Sequence, residues 1–344
     1  MRFNERLNIL HPIIQSPMAG VQNHELAVAV SNAGGLGSLP CAMLNLDALL
    51  AELIAINQKT QHPVNLNFFC HTSPKYNATR EADWQAELQP FYDEYGIDPS
   101  DITTASDFPK FNHDTIDVLS KFKPNVISFH FGLPRDDLLA RVKNLGLKIL
   151  STATTLEEAL WLESKGVDAI IAQGLEAGGH RGMFLSADLS QQQKTFELLA
   201  DIVPHVNIPV IAAGGIADSE GIANALSLGA SAVQMGTAFL LCTETKTSTL
   251  HRAAIARQHV NNTAITNVFT GRPARSIVNT LVETLGPINE HAPEFPLAIA
   301  AYSPLRQIAE HNKKDTFTPL WCGTNTRGCQ EISAHDLLKR LTSN

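Results

Sequence analysis

The chain has 344 residues, 44% of them hydrophobic and 17% charged, with a formal net charge of −8. This length accommodates one large domain or a barrel with an appended subdomain, and the acidic balance argues against nucleic acid or an anionic membrane as the main partner. The five cysteines, Cys41, Cys70, Cys242, Cys322 and Cys329, form no CxxC pair, which excludes the usual zinc spacing and fits a reducing, cytoplasmic compartment.

At the N-terminus Arg2, Glu5 and Arg6 interrupt any apolar run, so no secretory signal is expected. No window reaches the roughly 18 apolar residues a spanning helix needs. The first predicted strand, Ile13–Pro17, leads into Met18-Ala19-Gly20. Helix His24–Ala33, strand Gly35–Leu39, helix Leu46–Asn57 and strand Val64–Phe69 follow. The chain then turns polar from Cys70 to about Asp114, with Pro74, Pro90, Pro99 and Pro109 and one predicted helix from Arg80 to Tyr95. This is far longer than a βα loop and reads as a lid-like insertion, with Trp84, Phe91, Tyr92 and Tyr95 to bury.

Alternation then resumes with strand Val126–Phe131, helix Asp136–Asn144 and strand Lys148–Thr152. Helix Leu156–Lys165 has Thr154 or Thr155 as its N-cap, acid in its first turn and Gly166 at its close. Strand Ala169–Gln173, helix Gln192–Val203, strand Val210–Ala213, helix Ser219–Leu228 and strand Ala232–Met235 complete the series. The strands are continuous apolar runs, as in a parallel sheet covered by helices. Eight such units point to an α/β fold, a (β/α)8 TIM barrel with an insertion and cap subdomain. The reading places the barrel at 1–243, with the insertion at about 70–114, and a C-terminal cap and closing helices at 244–344. A doubly wound open sheet is the alternative, but no GxGxxG turn follows the first strand.

Functional groups of a barrel sit where strands end. Strand Ala169–Gln173 runs into Gly174-Leu175-Glu176-Ala177-Gly178-Gly179-His180-Arg181-Gly182, which sets one imidazole among exposed backbone N–H groups. Gly214-Gly215 and Gly236-Thr237 follow the seventh and eighth predicted strands, the usual barrel phosphate site, where glycines let backbone N–H groups approach an anion. Two tight turns without a ligand would give the same pattern. Asn67 and Gln173 offer amide donors and acceptors to a ring edge such as that of a flavin, or pin a loop. Met18 and Ala19 suit packing on an aromatic plane, or core. His180 is the candidate base, since its ordinary pKa lies near working pH. His130 is a weaker second candidate. Tyr302 and Arg306 line a substrate pocket or pack as a helical stripe. Glu176 and Arg181 receive no chemical role, and no metal site is expected.

Together, Pro12-Ile13-Ile14-Gln15-Ser16-Pro17-Met18-Ala19-Gly20, Asn65-Leu66-Asn67-Phe68-Phe69-Cys70-His71, Ala172 through Gly182 and Pro209 through Thr237 resemble the nitronate monooxygenase family over nearly the whole chain. The resemblance implies an FMN-dependent TIM barrel that oxidises alkyl nitronates, such as propionate 3-nitronate, with O2. Carried over, it implies that Met18, Asn67, Gln173, Gly178, Gly179, Gly214, Gly215, Gly236 and Thr237 hold FMN and that His180 acts at the substrate carbon; the residues' own placement, apart from the resemblance, puts His130, Tyr302 and Arg306 on the substrate side. The expected partners are a nitronate and O2, with no nucleic acid and no membrane; a homodimer is left open. FMN-dependent enoyl-acyl-carrier-protein reductases share the glycine segments, so an NAD(P)H-dependent flavin reductase is the alternative. A flavin-binding scaffold without turnover is a third reading. Trp321-Cys322-Gly323 is followed by Thr324 where close relatives are expected to carry Gln, which leaves the pocket wall there in question.

Overall fold

The computed structural model describes residues 2–103, 107–257 and 262–343. Its strands are β1 (Ile13–Gln15), β2 (Gly37–Pro40), β3 (Val64–Phe69), β4 (Val126–His130), β5 (Lys148–Ala153), β6 (Ala169–Gln173), β7 (Gly179–His180), β8 (Val210–Ala213), β9 (Ala232–Met235), β10 (Thr263–Thr266) and β11 (Ala274–Ile277). Eight of them pair in parallel in the order β1-β9-β8-β6-β5-β4-β3-β2. A parallel bridge between Ile14 and Leu36 closes the ring. There Gln15 donates its N–H to the Leu36 carbonyl at 2.9 Å, and Leu36 donates to Ile13 at 2.9 Å. The fold is the expected (β/α)8 barrel.

Why these strands read as unbroken apolar runs follows from side-chain alternation, which sends successive residues to opposite faces. Outward residues, among them Ile13, Leu66, Ile127, Ile149, Ile170, Ala212 and Val233, meet the surrounding helices in one core. Inward residues such as Ile14, Leu36, Val126, Leu150, Ile171, Ile211 and Ala232 form a second core with Phe3, Leu7 and Ile9 of the N-terminal segment. Further along the same inward rows the residues turn polar. Ser38, Asn65 and Ser128 are buried and joined, with Asn65 Nδ2 donating to Ser38 Oγ at 3.0 Å and Ser128 Oγ at 2.9 Å. The barrel is therefore dry at one end and carries a hydrogen-bonding layer toward the carboxyl ends of its strands.

Helix starts follow their side-chain caps. Thr155 accepts from Glu158 N–H, and Asp218 accepts from Gly221 N–H. The insertion's helix runs Ala78–Tyr95, capped by Asn77. It buries Trp84, Leu88, Phe91 and Tyr92 in one cluster with Phe269, Leu281, Ala301, Tyr302, Leu305 and Phe317. The Tyr92 hydroxyl donates to the Ala301 carbonyl at 2.6 Å. Insertion and C-terminal segment thus share one apolar core over the barrel mouth. The helix Ala334–Thr342 does something different. Its Leu337, Leu338 and Leu341 join the barrel's outer core, so the region after β9 serves both mouth and ring.

Beyond the predicted elements lie helix His113–Phe122 and a small antiparallel sheet, β10-β11-β7. The segment expected as a glycine loop at Gly179-His180 is in fact strand β7, paired to Arg275 and Ala274 of β11. Among the described residues no helix is long and apolar enough to cross a membrane.

Candidate active site

One cavity of about 460 Å³ opens at the carboxyl ends of the strands, within the range of roughly 300–1,000 Å³ usual for small-molecule sites. Its wall includes Met18, Asn67, Gln173, Gly178, Gly179, Gly214, Gly215, Gly236, Thr237, His130, His180, Tyr302 and Arg306. Every candidate site residue named from the sequence is therefore brought to one space. The wall also includes Ser16, Phe69, Gln234, Thr270, Trp321 and Asn325, to which the sequence reading gave no role in chemistry. Ser16, Phe69 and Gln234 lie in segments already flagged, and Trp321 belongs to the Trp321-Cys322-Gly323 segment expected at the pocket wall. Thr270 and Asn325 come from the C-terminal segment and carry no local motif.

At one end the wall is backbone. Gly214 and Gly215 have φ of +120° and +70°, conformations that L side chains rarely adopt. A Cβ on Gly215 would stand 3.0 Å from Glu176 Cβ, and one on Gly178 would stand 2.6 Å from the Cys322 carbonyl carbon. Thr237 Oγ1 accepts from Gly323 N–H at 2.9 Å and keeps its own hydrogen to donate. Asn325 Nδ2 donates to the Gly215 carbonyl at 2.9 Å. The residue in question, Thr324, bonds Glu176 through its backbone N–H at 3.0 Å, a contact that does not depend on its side chain.

The polar layer supplies the floor. Asn67 Nδ2 donates to Ser128 Oγ at 2.9 Å. Gln173 uses its amide within the protein: Nε2 donates to the His180 carbonyl at 3.0 Å, and Oε1 accepts from Gly182 N–H at 2.8 Å. Gln234 Oε1 is buried without a hydrogen-bond partner.

The other end is built around His180. Strand β7 fixes its backbone against Ala274. Its carbonyl accepts from Gln173 and also from His130 Nε2 at 3.1 Å. Since a carbonyl only accepts, His130 carries its proton on Nε2, and its Nδ1 accepts from the Thr152 hydroxyl at 3.0 Å. Both ring nitrogens of His130 are thus engaged by protein, so His130 holds His180 and faces the cavity with its ring. The His180 ring lies 5.2 Å from those of Phe295 and Trp321 and its Nε2 is 2.9 Å from Thr270 Oγ1. Burial, followed by the like charges of His130, Arg272 and His71, pushes the His180 pKa down to about 3. Burial likewise lowers that of His130 to about 3. Both are neutral imidazoles at neutral pH, with pKa values well below the near-neutral value the sequence suggested for His180.

Arg181, next in sequence, is fully buried. Its guanidinium donates to the carbonyls of Gly174 and Gln173 at 2.6 and 2.7 Å and to Gln192 Oε1 at 3.0 and 2.8 Å. It braces the strand end beneath the site with four of its five N–H donors. Glu176 accepts from Thr195 N–H and Oγ1, each at 2.8 Å, and anchors the same loop. Tyr302 and Arg306 lie one turn apart on the helix Ile299–His311. Burial raises the Tyr302 hydroxyl to about 12, so it stays protonated. Arg306 Nε pairs with Glu310 Oε1 at 2.7 Å.

A parallel barrel whose glycine-rich strand ends and one neutral imidazole line a single cavity defines an enzyme-type site at the carboxyl ends of its strands. The family model described as nitronate monooxygenase matches residues 2–344. A nitronate monooxygenase of Paraburkholderia phytofirmans is 40% identical, the alignment covering 97% of this chain and 92% of that protein. The solved nitroalkane oxidase from Streptomyces ansochromogenes superposes with a TM-score of 0.87 at 36% identity, over 97% of this chain and 95% of that one. FabK from Thermotoga maritima superposes with a TM-score of 0.72 at 27% identity, over 98% and 93%. The chain belongs to the nitronate monooxygenase family and is an oxidoreductase of that type.

Proposed function

We propose that the protein uses FMN to oxidise alkyl nitronates with O2, propionate 3-nitronate representing the substrate class. The observation that carries this reading is the convergence of glycine-rich strand ends and one neutral imidazole on a single cavity. The residues present fit the mononucleotide. Gly214, Gly215 and Gly236 line the cavity with no side chain of their own, so backbone N–H groups can approach a phosphate there. The orphaned Gln234 Oε1 suits a hydroxyl donor such as a ribityl group.

Gly214, Gly215, Gly236 and Thr237 would hold the phosphate, with Gly178 and Gly179 alongside. Asn67 and Gln173 would address the polar edge of the ring system, and Met18 would pack on its face. When bound, FMN supplies the electron acceptor for the nitronate and passes electrons to O2. The chain's own residues do the remaining work. His180 accepts the α-proton when the substrate arrives as a neutral nitroalkane. Tyr302 and Arg306 offer a donor and a positive charge to an anionic substrate, and His130 holds the His180 backbone in place. The apolar cap core excludes water from the reacting groups. The scattered free cysteines suit the cytoplasmic setting that is part of this proposal.

Anaerobic stopped-flow mixing of the FMN-loaded protein tests the reading. Rapid loss of flavin absorbance with propionate 3-nitronate, and slow or no loss with NADPH, is the expected result. The reverse pattern would establish the nicotinamide-dependent reductase instead.

A further inference from the structure

We propose that Thr270 is a positioning residue that keeps the proton of His180 on Nε2 and leaves Nδ1 to remove the α-proton of a nitroalkane; this rests on the reading of His180 as the base. The Thr270 hydroxyl stands 2.9 Å from His180 Nε2 and 3.4 Å from the carbonyl oxygen of Arg272. A hydroxyl has one hydrogen to give, and a carbonyl can only accept. Thr270 satisfies both neighbours in one arrangement alone: it donates to Arg272 and accepts from an Nε2–H. In the opposite tautomer the hydroxyl would give its hydrogen to Nε2 and leave the Arg272 carbonyl without it, and the hydrogen on Nδ1 would leave no lone pair there to take up an α-proton.

Nδ1 is placed for the task. It makes no hydrogen bond to the described residues, and the half-buried His180 ring lines the cavity. Beneath the site a second threonine takes the converse part, its hydroxyl donating to a ring nitrogen. There Thr152 faces His130 Nδ1, while His130 Nε2 donates to a carbonyl. In the reaction the α-C–H bond breaks, the proton forms a bond to Nδ1, and the electron pair stays on the substrate as the nitronate. The imidazolium then shares its charge through Nε2–H to Thr270 Oγ1, and the proton on Nδ1 later leaves to solvent.

The test has two readouts. In a ¹⁵N multiple-bond NMR spectrum of the FMN-loaded protein labelled at histidine, His180 is assigned by its loss in H180N, and the Nε2–H pattern is expected. T270V should lower the ratio of kcat/KM for a neutral nitroalkane to that for its nitronate about tenfold, and T270S should bring it back to within about threefold of wild type. An Nδ1–H tautomer, or an unaltered ratio in folded, FMN-replete T270V, overturns the assignment. If H180N itself leaves the ratio unaltered, the reading of His180 as the base is what fails.

Discussion

The two ends of the cavity are made of different material. The glycine end, to which the proposal gives the phosphate, is backbone: Gly214, Gly215 and Gly236 follow barrel strands, and the first two hold positive φ. The His180 end is side chain and long-range. Its imidazole rests on a threonine ninety residues away and on rings from Phe295 and Trp321. The first end fails when a Cβ is added. The second fails when one functional group is exchanged. The contrast separates holding a cofactor from doing chemistry with it, and substitutions can test that separation.

The largest effect is expected for H180N. Loss of a general base lowers the rate by roughly 10²–10⁴, so kcat/KM for a neutral nitroalkane should fall on that order in O2-consumption assays. The fall for the nitronate should be far smaller, and FMN content should be retained. Because burial holds His180 near 3, protonation would remove the base only well below neutrality. The wild-type nitroalkane profile should then show no acid limb from His180 between about pH 5 and 8. Equal losses on both substrates would break the division between the two ends.

G215V should act at the opposite end. A β-branched residue at φ of +70° costs on the order of 1–3 kcal/mol in backbone strain. FMN affinity should drop by about tenfold or more, read by flavin-fluorescence titration. An FMN-replete G215V protein would show that the phosphate lies elsewhere. The smallest effect is expected for T324A. Its contact with Glu176 is made by the backbone, so stability and FMN affinity should each change by less than about 0.5 kcal/mol, checked by thermal unfolding and the same titration.

The same contrast governs what the sequence makes readable. The barrel strands declare themselves because both faces are buried, giving apolar runs such as Ala169-Ile170-Ile171. The βα turns declare themselves through glycines and caps such as Asp218. The glycine end lies on those turns, so local pattern reaches it. Strand β7 is two residues long and exists through pairing with Ala274 and Arg275; no periodicity can mark it. Thr270 is equally silent, because its place in the wall is set by the fold of the C-terminal segment and by no nearby residue. His130 is found by its position at a strand end, yet its role in holding His180 depends on Thr152 and a carbonyl fifty residues on.

The helix Ala334–Thr342 packs on the barrel after the chain has built the cap. The cap is therefore tethered to the ring on both sides, after Met235 and before Ser333, and its strand β11 is hydrogen-bonded to β7 as well. A body moored at three points is harder to swing aside than one hinged on a single strand, so an engineered route into the cavity should be cut at the rim, leaving the moorings alone.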